Sequence, residues 1–145
     1  MFISDLVKGL SPSATFAMSQ RSSELQKKGV DVINLSVGEP DFNTPDTIKI
    51  LATQAVQNNY SKYSPVAGYV SLRKAICCKL LRENGLIYSH SEVVVSNGAK
   101  QSISNVIQSL LNPDDEVIIP APYWVSYPQM VKLVGAKPVY IETSI

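Results

Sequence analysis

The sequence has 145 residues, of which 45% are hydrophobic and 17% are charged, so its size and composition suit one globular domain rather than a disordered chain. The 13 basic residues nearly balance the 12 acidic ones, which gives a formal net charge of +1. This balance offers no electrostatic basis for binding nucleic acid or an anionic membrane, and we expect neither partner.

The start of the chain and its cysteines bear on location and metal binding. The opening residues, MFISDLVKGL, lack a long apolar core and do not form a secretory signal. No apolar run approaches the roughly 20 residues of a membrane span. Cys77 and Cys78 are adjacent, which suits neither a disulfide between them nor a zinc site. We therefore expect a cytoplasmic protein without a metal site, in which both thiols are buried.

The first ninety residues predict helices joined by loops. The segment SPSATFAMSQRSSELQKKG predicts a capped helix, and residues 30–38 predict a short strand that ends at Gly38. A second helix is expected to open at Thr44 or Asp46. A loop containing Tyr63 follows, and a third helix is expected to end at Gly85.

The last third alternates short apolar strands with helices. Strands are expected over residues 92–96, 116–120 and 136–143, with a helix in each interval. In the second of these helices, Pro128 restricts the start to residues after Tyr127 or kinks the helix. This β-α-β-α-β order predicts parallel strands joined by crossovers, and so an α/β fold.

The predicted sheet is small and lacks helices on both faces, which parallel strands normally require. We therefore expect an incomplete domain that begins a longer protein.

The segment SNGAK, residues 96–100, predicts an anion site between a strand and a helix. The first turn of a helix presents backbone N–H groups and the positive end of its dipole. Small residues let an anion approach these groups closely, so Gly98, Ala99 and Lys100 are candidate phosphate-binding residues. The segment matches neither the nucleotide P-loop nor the dinucleotide fingerprint. A tight turn without any ligand is the alternative.

An aromatic pair, Tyr123 and Trp124, follows the next predicted strand. Ligands in open α/β sheets bind outside the carboxyl ends of the strands. A phosphate site beside an aromatic side chain suits a flat phosphorylated cofactor. The alternative is that Trp124 only packs its helix onto the sheet.

The chain resembles the N-terminal part of class I aminotransferases, the pyridoxal-phosphate enzymes of fold type I, and is most similar to bacterial-type aspartate aminotransferases. Ordered stretches at family-like spacing carry this resemblance over nearly the whole chain: SPSATFAMSQRSSELQKKGVDVINLSVGEPDFNTP, KYSPVAGYVSLRKAI, SNGAKQSISN and DEVIIPAPYWVSYPQMV. It implies that residues 1–45 form an N-terminal arm and substrate-loop segment. It also implies that residues 46–145, with their mostly parallel sheet, are the first part of a pyridoxal-phosphate-binding large domain.

The resemblance implies roles for individual residues. Ala99 and Lys100 would bind the phosphate of pyridoxal 5'-phosphate, and Trp124 would stack on its ring and help to place the substrate carboxylate. Gly38 would contact the substrate α-carboxylate. Tyr63 would reach the phosphate of the neighbouring subunit, which implies a homodimer.

The same resemblance implies a catalytic residue that the chain does not contain. No lysine matches the family's Schiff-base lysine, because Lys100 belongs to the phosphate turn. We therefore expect a fragment of a transaminase that exchanges an amino group between an L-amino acid, aspartate or glutamate, and a 2-oxo acid, and we expect the isolated chain to be inactive. A transaminase of different specificity, a carbon–sulfur lyase and a non-catalytic effector domain are the alternatives.

Overall fold

The structure of the protein is a computed structural model that describes residues 2–144. The helices and strands follow in the order α1 (Asp5–Lys8), α2 (Ala14–Lys27), α3 (Asp46–Gln57), α4 (Val70–Asn84), a 3₁₀ turn (His90–Glu92), α5 (Ala99–Leu110), β1 (Glu116–Ala121), α6 (Ser126–Leu133) and β2 (Lys137–Glu142).

The described residues divide into two compact units. The sheet unit comprises the residues up to Glu39 together with those from Ser104 onward, and the loop unit spans Pro40–Ile103. The functional division at residue 45, which the resemblance implies, stays a prediction.

The sheet unit is built around the parallel pair β1 and β2, in which Glu116 aligns with Lys137 and Ala121 with Glu142. Helix α6 makes the connection that parallel strands require. Successive side chains of β1 point to opposite faces of the sheet. Ile119 is therefore only 5% exposed, whereas its neighbour Ile118 is 64% exposed. The core of the unit consists of Ile119, Val131 and Ala136, with Ile107, Leu111, Val117, Tyr127 and Val134 packed against it.

The loop unit contains α3, α4 and the 3₁₀ turn. Each of its residues keeps part of its surface exposed. Helix α4 ends at Gly85, whose φ of +68° allows the left-handed cap expected there. The 3₁₀ turn is closed by a capping box, in which the Ser89 N–H donates to Glu92 Oε2 at 2.7 Å.

The α/β class, the parallel sheet and the predicted helices are confirmed, but the first predicted strand of the β-α-β-α-β order is wrong. Val93 is extended, with φ −113° and ψ 128°, yet no ladder forms over residues 92–96. The Val95 N–H donates instead to the carbonyl of Ala67, in a loop, at 3.1 Å. A strand needs a neighbouring strand, and the described residues offer none to this segment.

Three smaller predictions are also wrong. Residues 30–38 form no strand; Asn34 Oδ1 accepts hydrogen bonds from the Ser36 N–H and hydroxyl, a local pairing that competes with a ladder. Helix α6 begins at Ser126, because Pro128 fits its first turn, where no N–H needs a partner within the helix. Cys78 is exposed and Cys77 is half-buried, so these thiols are not a buried pair.

Candidate functional site

The turn that precedes α5 requires glycine at position 98. Gly98 has a φ of +86°, which is costly for a residue with a side chain. A Cβ at Gly98 would have nothing within 4 Å, so the space beside the turn is open. Helix α5 starts at the next residue, Ala99, as the sequence predicts.

The hydrogen bonds of this turn leave a backbone donor at its mouth. The N–H groups of Gln101 and Ser102 donate to the Gly98 carbonyl at 3.2 and 3.3 Å, so the amide of Ala99 precedes the helical ladder. The Lys100 cation lies in the same first turn. This arrangement suits a phosphate, since the positive dipole end of α5 adds to the attraction.

Gln101 is a residue of this region that the sequence reasoning missed. Its side-chain Oε1 accepts the N–H of Asn97 at 2.5 Å and so closes the turn from the helix side. Its position was a detectable signal, because Glu or Gln at the third residue of a helix is typical of capping.

A cavity of about 280 Å³ lies beside the turn at Gly98 and within the loop unit. The loop that follows Tyr63 and the segment that leads to Gly98 both line it, so these two parts of the sequence come together. Its lining residues are Ser64, Pro65, Val66, Gly68, Tyr69, Leu72, Val95, Asn97 and Gln101.

Tyr63 itself does not line this cavity. Its side chain is fully exposed, at 106% of its reference area, whereas the nearby Tyr60 and Tyr69 rings pack edge to face with centroids 6.2 Å apart. A fully exposed tyrosine is compatible with the role at a subunit interface that the resemblance implies, and that role stays a prediction.

Trp124 lies in the sheet unit, between the end of β1 and the start of α6. Its carbonyl accepts the Tyr127 N–H at 3.0 Å, and its side chain is 43% exposed. The adjacent Tyr123 stacks on Tyr140, with ring centroids 5.2 Å apart. Partial burial, followed by the neighbouring Tyr140, raises the pKa of Tyr123. Tyr127 packs against the core of the sheet unit, whereas Tyr123 and Trp124 both keep much of their surface exposed.

Gly38 lies in the irregular segment that precedes α3, and it is exposed. It does not have a positive φ, and a Cβ there would meet nothing within 4 Å. The local structure therefore gives no reason for glycine at this position, and the assignment of Gly38 to the substrate carboxylate rests on the resemblance alone.

Each unit, taken by itself, carries groups whose chemistry suits one part of pyridoxal phosphate. The turn at Gly98 offers an open, positively polarised approach for a dianionic phosphate, and Trp124 offers an exposed aromatic side chain. Residues 2–144 contain no cluster of three or more His, Cys, Asp or Glu side chains that could hold a metal ion. Within the same range, no helix is both long and apolar enough to span a membrane.

Comparison with protein families matches residues 30–144 to the family described as aminotransferase class I and II. The chain is 50% identical over 143 residues to a probable aspartate/prephenate aminotransferase of Rhizobium leguminosarum bv. phaseoli, covering 99% of this chain and 36% of the relative. It is also 50% identical over 144 residues to an aspartate/prephenate aminotransferase of Cereibacter sphaeroides, with 99% and 36% covered.

Solved structures agree with these relatives. Aspartate aminotransferase from Thermus thermophilus, solved with maleate, superposes with a TM-score of 0.94 at 44% identity and covers 99% of this chain and 38% of that structure. An alanine aminotransferase from Pyrococcus furiosus gives a TM-score of 0.92 at 30% identity, with 99% and 37% covered. The chain thus spans about 36% of the length of the first two curated relatives.

Proposed function

Because the chain belongs to the aminotransferase class I and II family, we propose that the protein carrying it is a pyridoxal-phosphate-dependent transaminase. The structural observation that supports this most directly is the glycine-dependent turn at Gly98, which opens α5 beside free space. Aspartate or glutamate is the proposed amino donor, and a 2-oxo acid is the acceptor. The names of two relatives include prephenate, which is a 2-oxo acid, and we include it among the acceptors.

Each candidate residue has a proposed task. The backbone at Gly98 and Ala99, with the Lys100 cation, holds the cofactor phosphate, and Trp124 stacks on the flat ring. Gly38 leaves room for the substrate α-carboxylate. When bound, pyridoxal phosphate supplies the carbonyl carbon and the electron-withdrawing ring through which the amino group is exchanged.

The 145-residue chain contributes binding and orientation in this proposal, and not the proton-transfer base. None of its lysines occupies the position of the family's cofactor-linked lysine, since Lys100 belongs to the phosphate turn. We therefore expect no transamination from the isolated chain. A measurable exchange of the amino group between aspartate and 2-oxoglutarate by the 145-residue chain would contradict this expectation.

The phosphate assignment is tested with two matched glycine variants in the protein expressed from its complete coding sequence. Gly98 and Gly29 have φ values of +86° and +80°, and neither has an atom within 4 Å of a Cβ. Substitution by alanine therefore carries a similar backbone cost at each position. We expect Gly98→Ala to weaken pyridoxal phosphate binding by about tenfold, or about 1.4 kcal/mol. Gly29→Ala should leave this affinity unchanged.

Equilibrium dialysis followed by an amino-transfer assay measures both parts of the proposal. Equal cofactor affinities in Gly98→Ala and Gly29→Ala would show that the turn at Gly98 does not bind the phosphate. Release of a thiol from a sulfur-containing amino acid, without transfer to 2-oxoglutarate or prephenate, would indicate a carbon–sulfur lyase. Cofactor binding without any turnover would indicate an effector domain.

We also propose a homodimer in which Tyr63 completes the neighbouring subunit's phosphate site. Hybrid dimers pair one subunit that carries the cofactor-linked lysine with one that lacks it. Tyr63→Phe on the subunit without the lysine should lower activity, because that subunit supplies the tyrosine to the only working site. The same substitution on the other subunit should have little effect. Activity that is independent of the placement would contradict a role in trans.

A further inference from the structure

Arg73 connects two separate segments of the loop unit. It lies in the first turn of α4, where its Nε donates to the Gly68 carbonyl at 3.1 Å and its Nη1 donates to the His90 carbonyl at 2.8 Å. Gly68 precedes α4, and His90 begins the 3₁₀ turn that follows it. Arg73 is half-buried, and hydrogen bonds from a charged donor are stronger than neutral ones. The planar guanidinium of Arg73 therefore links two segments to α4: the loop that precedes the helix and the 3₁₀ turn that follows it.

The segment before the phosphate turn packs directly on the loop that Arg73 holds. The Val95 N–H donates to the Ala67 carbonyl at 3.1 Å. Gly68 has a φ of +93°, and a Cβ there would lie 2.8 Å from Val95 Cγ2. This approach is possible only because residue 68 has no side chain. The position of Val95 consequently depends on the position of residues 67–68.

This contact continues into the phosphate turn. Asn97 lies two residues after Val95 and just before Gly98, and its N–H donates to Gln101 of α5. Gly68, Val95, Asn97 and Gln101 all line the cavity of about 280 Å³ beside the turn. A shift of the loop at residue 68 would therefore move the backbone that leads into Gly98.

We infer that Arg73 is a positioning residue for the phosphate of the cofactor, an inference that rests on the proposed function. Arg73 does not contact the cofactor in this proposal. It acts through Gly68 and Val95, and thereby sets where the Gly98 turn presents its amides. Because Tyr63 begins the same loop, Arg73 also anchors the segment that carries Tyr63.

The test compares Arg73→Met with Arg82→Met in the protein expressed from its complete coding sequence. Arg82 lies on the same helix, but its side chain is 70% exposed and pairs with the adjacent Glu83 rather than with a distant segment of the described residues, so it is a matched control. Each variant, freed of cofactor, is dialysed against pyridoxal 5'-phosphate and against pyridoxal, which lacks the phosphate. We expect Arg73→Met to raise the Kd for pyridoxal phosphate about tenfold while the Kd for pyridoxal changes by less than about twofold. Arg82→Met should change neither.

A second measurement does not involve the cofactor. Amide hydrogen exchange of the unliganded proteins reports on the Val95 N–H, which donates to Ala67. We expect faster exchange at Val95 in Arg73→Met, with exchange in the middle of α4 unchanged and Arg82→Met equal to the wild type. Unchanged exchange at Val95 would overturn the inferred link between Arg73 and this segment.

The conservative variant Arg73→Lys keeps the test decisive if Arg73→Met does not fold. Lysine retains the charge but lacks the planar group that donates in two directions. The Arg73→Lys protein should therefore also lose its preference for pyridoxal phosphate over pyridoxal. If the wild type prefers pyridoxal phosphate and the variants keep the same preference, the role of Arg73 is overturned and the proposed function stands. If the wild type binds neither compound, the proposed function itself is overturned.

Discussion

In the sheet unit, Ile119, Val131 and Ala136 lose nearly all of their exposure, whereas every residue of the loop unit keeps some. The sheet unit is organised by apolar burial between β1, β2 and α6. The loop unit is organised by hydrogen bonds to backbone carbonyls and by the close approach of Gly68 to Val95. A hydrogen bond depends on both distance and angle, and residue 68 can approach Val95 this closely only without a side chain. The turn at Gly98 lies in this loop unit, so its position depends on these contacts.

The largest expected effect tests the close approach in the loop unit. Gly68→Ala should lower the free energy of unfolding by about 3 kcal/mol, because it adds a left-handed backbone cost and a displacement of Val95. Gly85→Ala is the matched control, since its φ of +68° carries the backbone cost but nothing lies within 4 Å of a Cβ. That control should lose only about 1 kcal/mol.

Urea unfolding of both glycine variants separates the two contributions. Equal losses in Gly68→Ala and Gly85→Ala would show that the contact with Val95 contributes nothing. The loop unit would then depend on its backbone conformations and hydrogen bonds alone.

A somewhat smaller effect tests burial in the sheet unit. Val131 is 1% exposed, and Val131→Ala should lower the free energy of unfolding by about 2 kcal/mol through lost burial and the resulting cavity. Val56 is a helical valine of the loop unit that is 74% exposed, and Val56→Ala should change stability by less than about 0.5 kcal/mol. Similar losses of unfolding free energy in Val131→Ala and Val56→Ala, measured by denaturation, would show that apolar burial does not distinguish the two units.

Trp124 sharpens the comparison because it lies in the sheet unit but remains 43% exposed. If it serves a ligand, Trp124→Ala should weaken pyridoxal phosphate binding by about 0.5–1.5 kcal/mol, the value of an aromatic contact beyond burial. Trp124→Phe keeps a ring and should lose less. A loss of thermal stability with unchanged cofactor affinity would show that Trp124 is a packing residue.

The smallest effect concerns the ion pair between Asp114 and Lys137, whose Oδ1 and Nζ atoms are 2.7 Å apart at the surface of the sheet unit. The hydrogen bond from Lys137 lowers the pKa of Asp114 below its ordinary 3.8, and the same bond raises the pKa of Lys137 above 10.5. The carboxylate contribution to stability is therefore present above the unfolded-state pKa and is lost as the pH falls through the folded-state value. The lysine contribution is present below its unfolded-state pKa and is lost as the pH rises through its folded-state value.

Asp114→Asn removes the carboxylate and so isolates its contribution to stability at acidic pH. Asparagine is chosen because it tolerates the positive φ of +73° at this position. The variant should be slightly less stable than the wild type between about pH 5 and pH 9, and the difference should disappear once the pH falls below the folded-state pKa of Asp114. Added salt should shrink the difference at neutral pH. A difference that persists at low pH would mean that the substitution disturbs the backbone rather than the ion pair.

Particular residues show how far sequence reasoning reaches. The glycine turn that opens α5 at Gly98 and the left-handed cap at Gly85 were predictable, because backbone geometry demands glycine there. The β1–α6–β2 unit was predictable from its alternating apolar pattern. The absence of a strand at residues 92–96 was not, because whether an extended segment becomes a strand depends on a partner elsewhere. Arg73 was missed because nothing in its local sequence indicates that it bonds to both Gly68 and His90.

The sequence by itself determined the helices α2 to α5, the parallel character of β1 and β2 and the family to which the chain belongs, because these follow from local periodicity and ordered motifs. Tertiary structure alone decided that Val95 packs on Gly68, that Arg73 holds the two loops and that Cys78 is exposed. The physical reason is the separation along the sequence over which each interaction acts. Periodicity and capping act within a few residues, whereas hydrogen bonds and burial between distant segments exist only after the chain has brought those segments together.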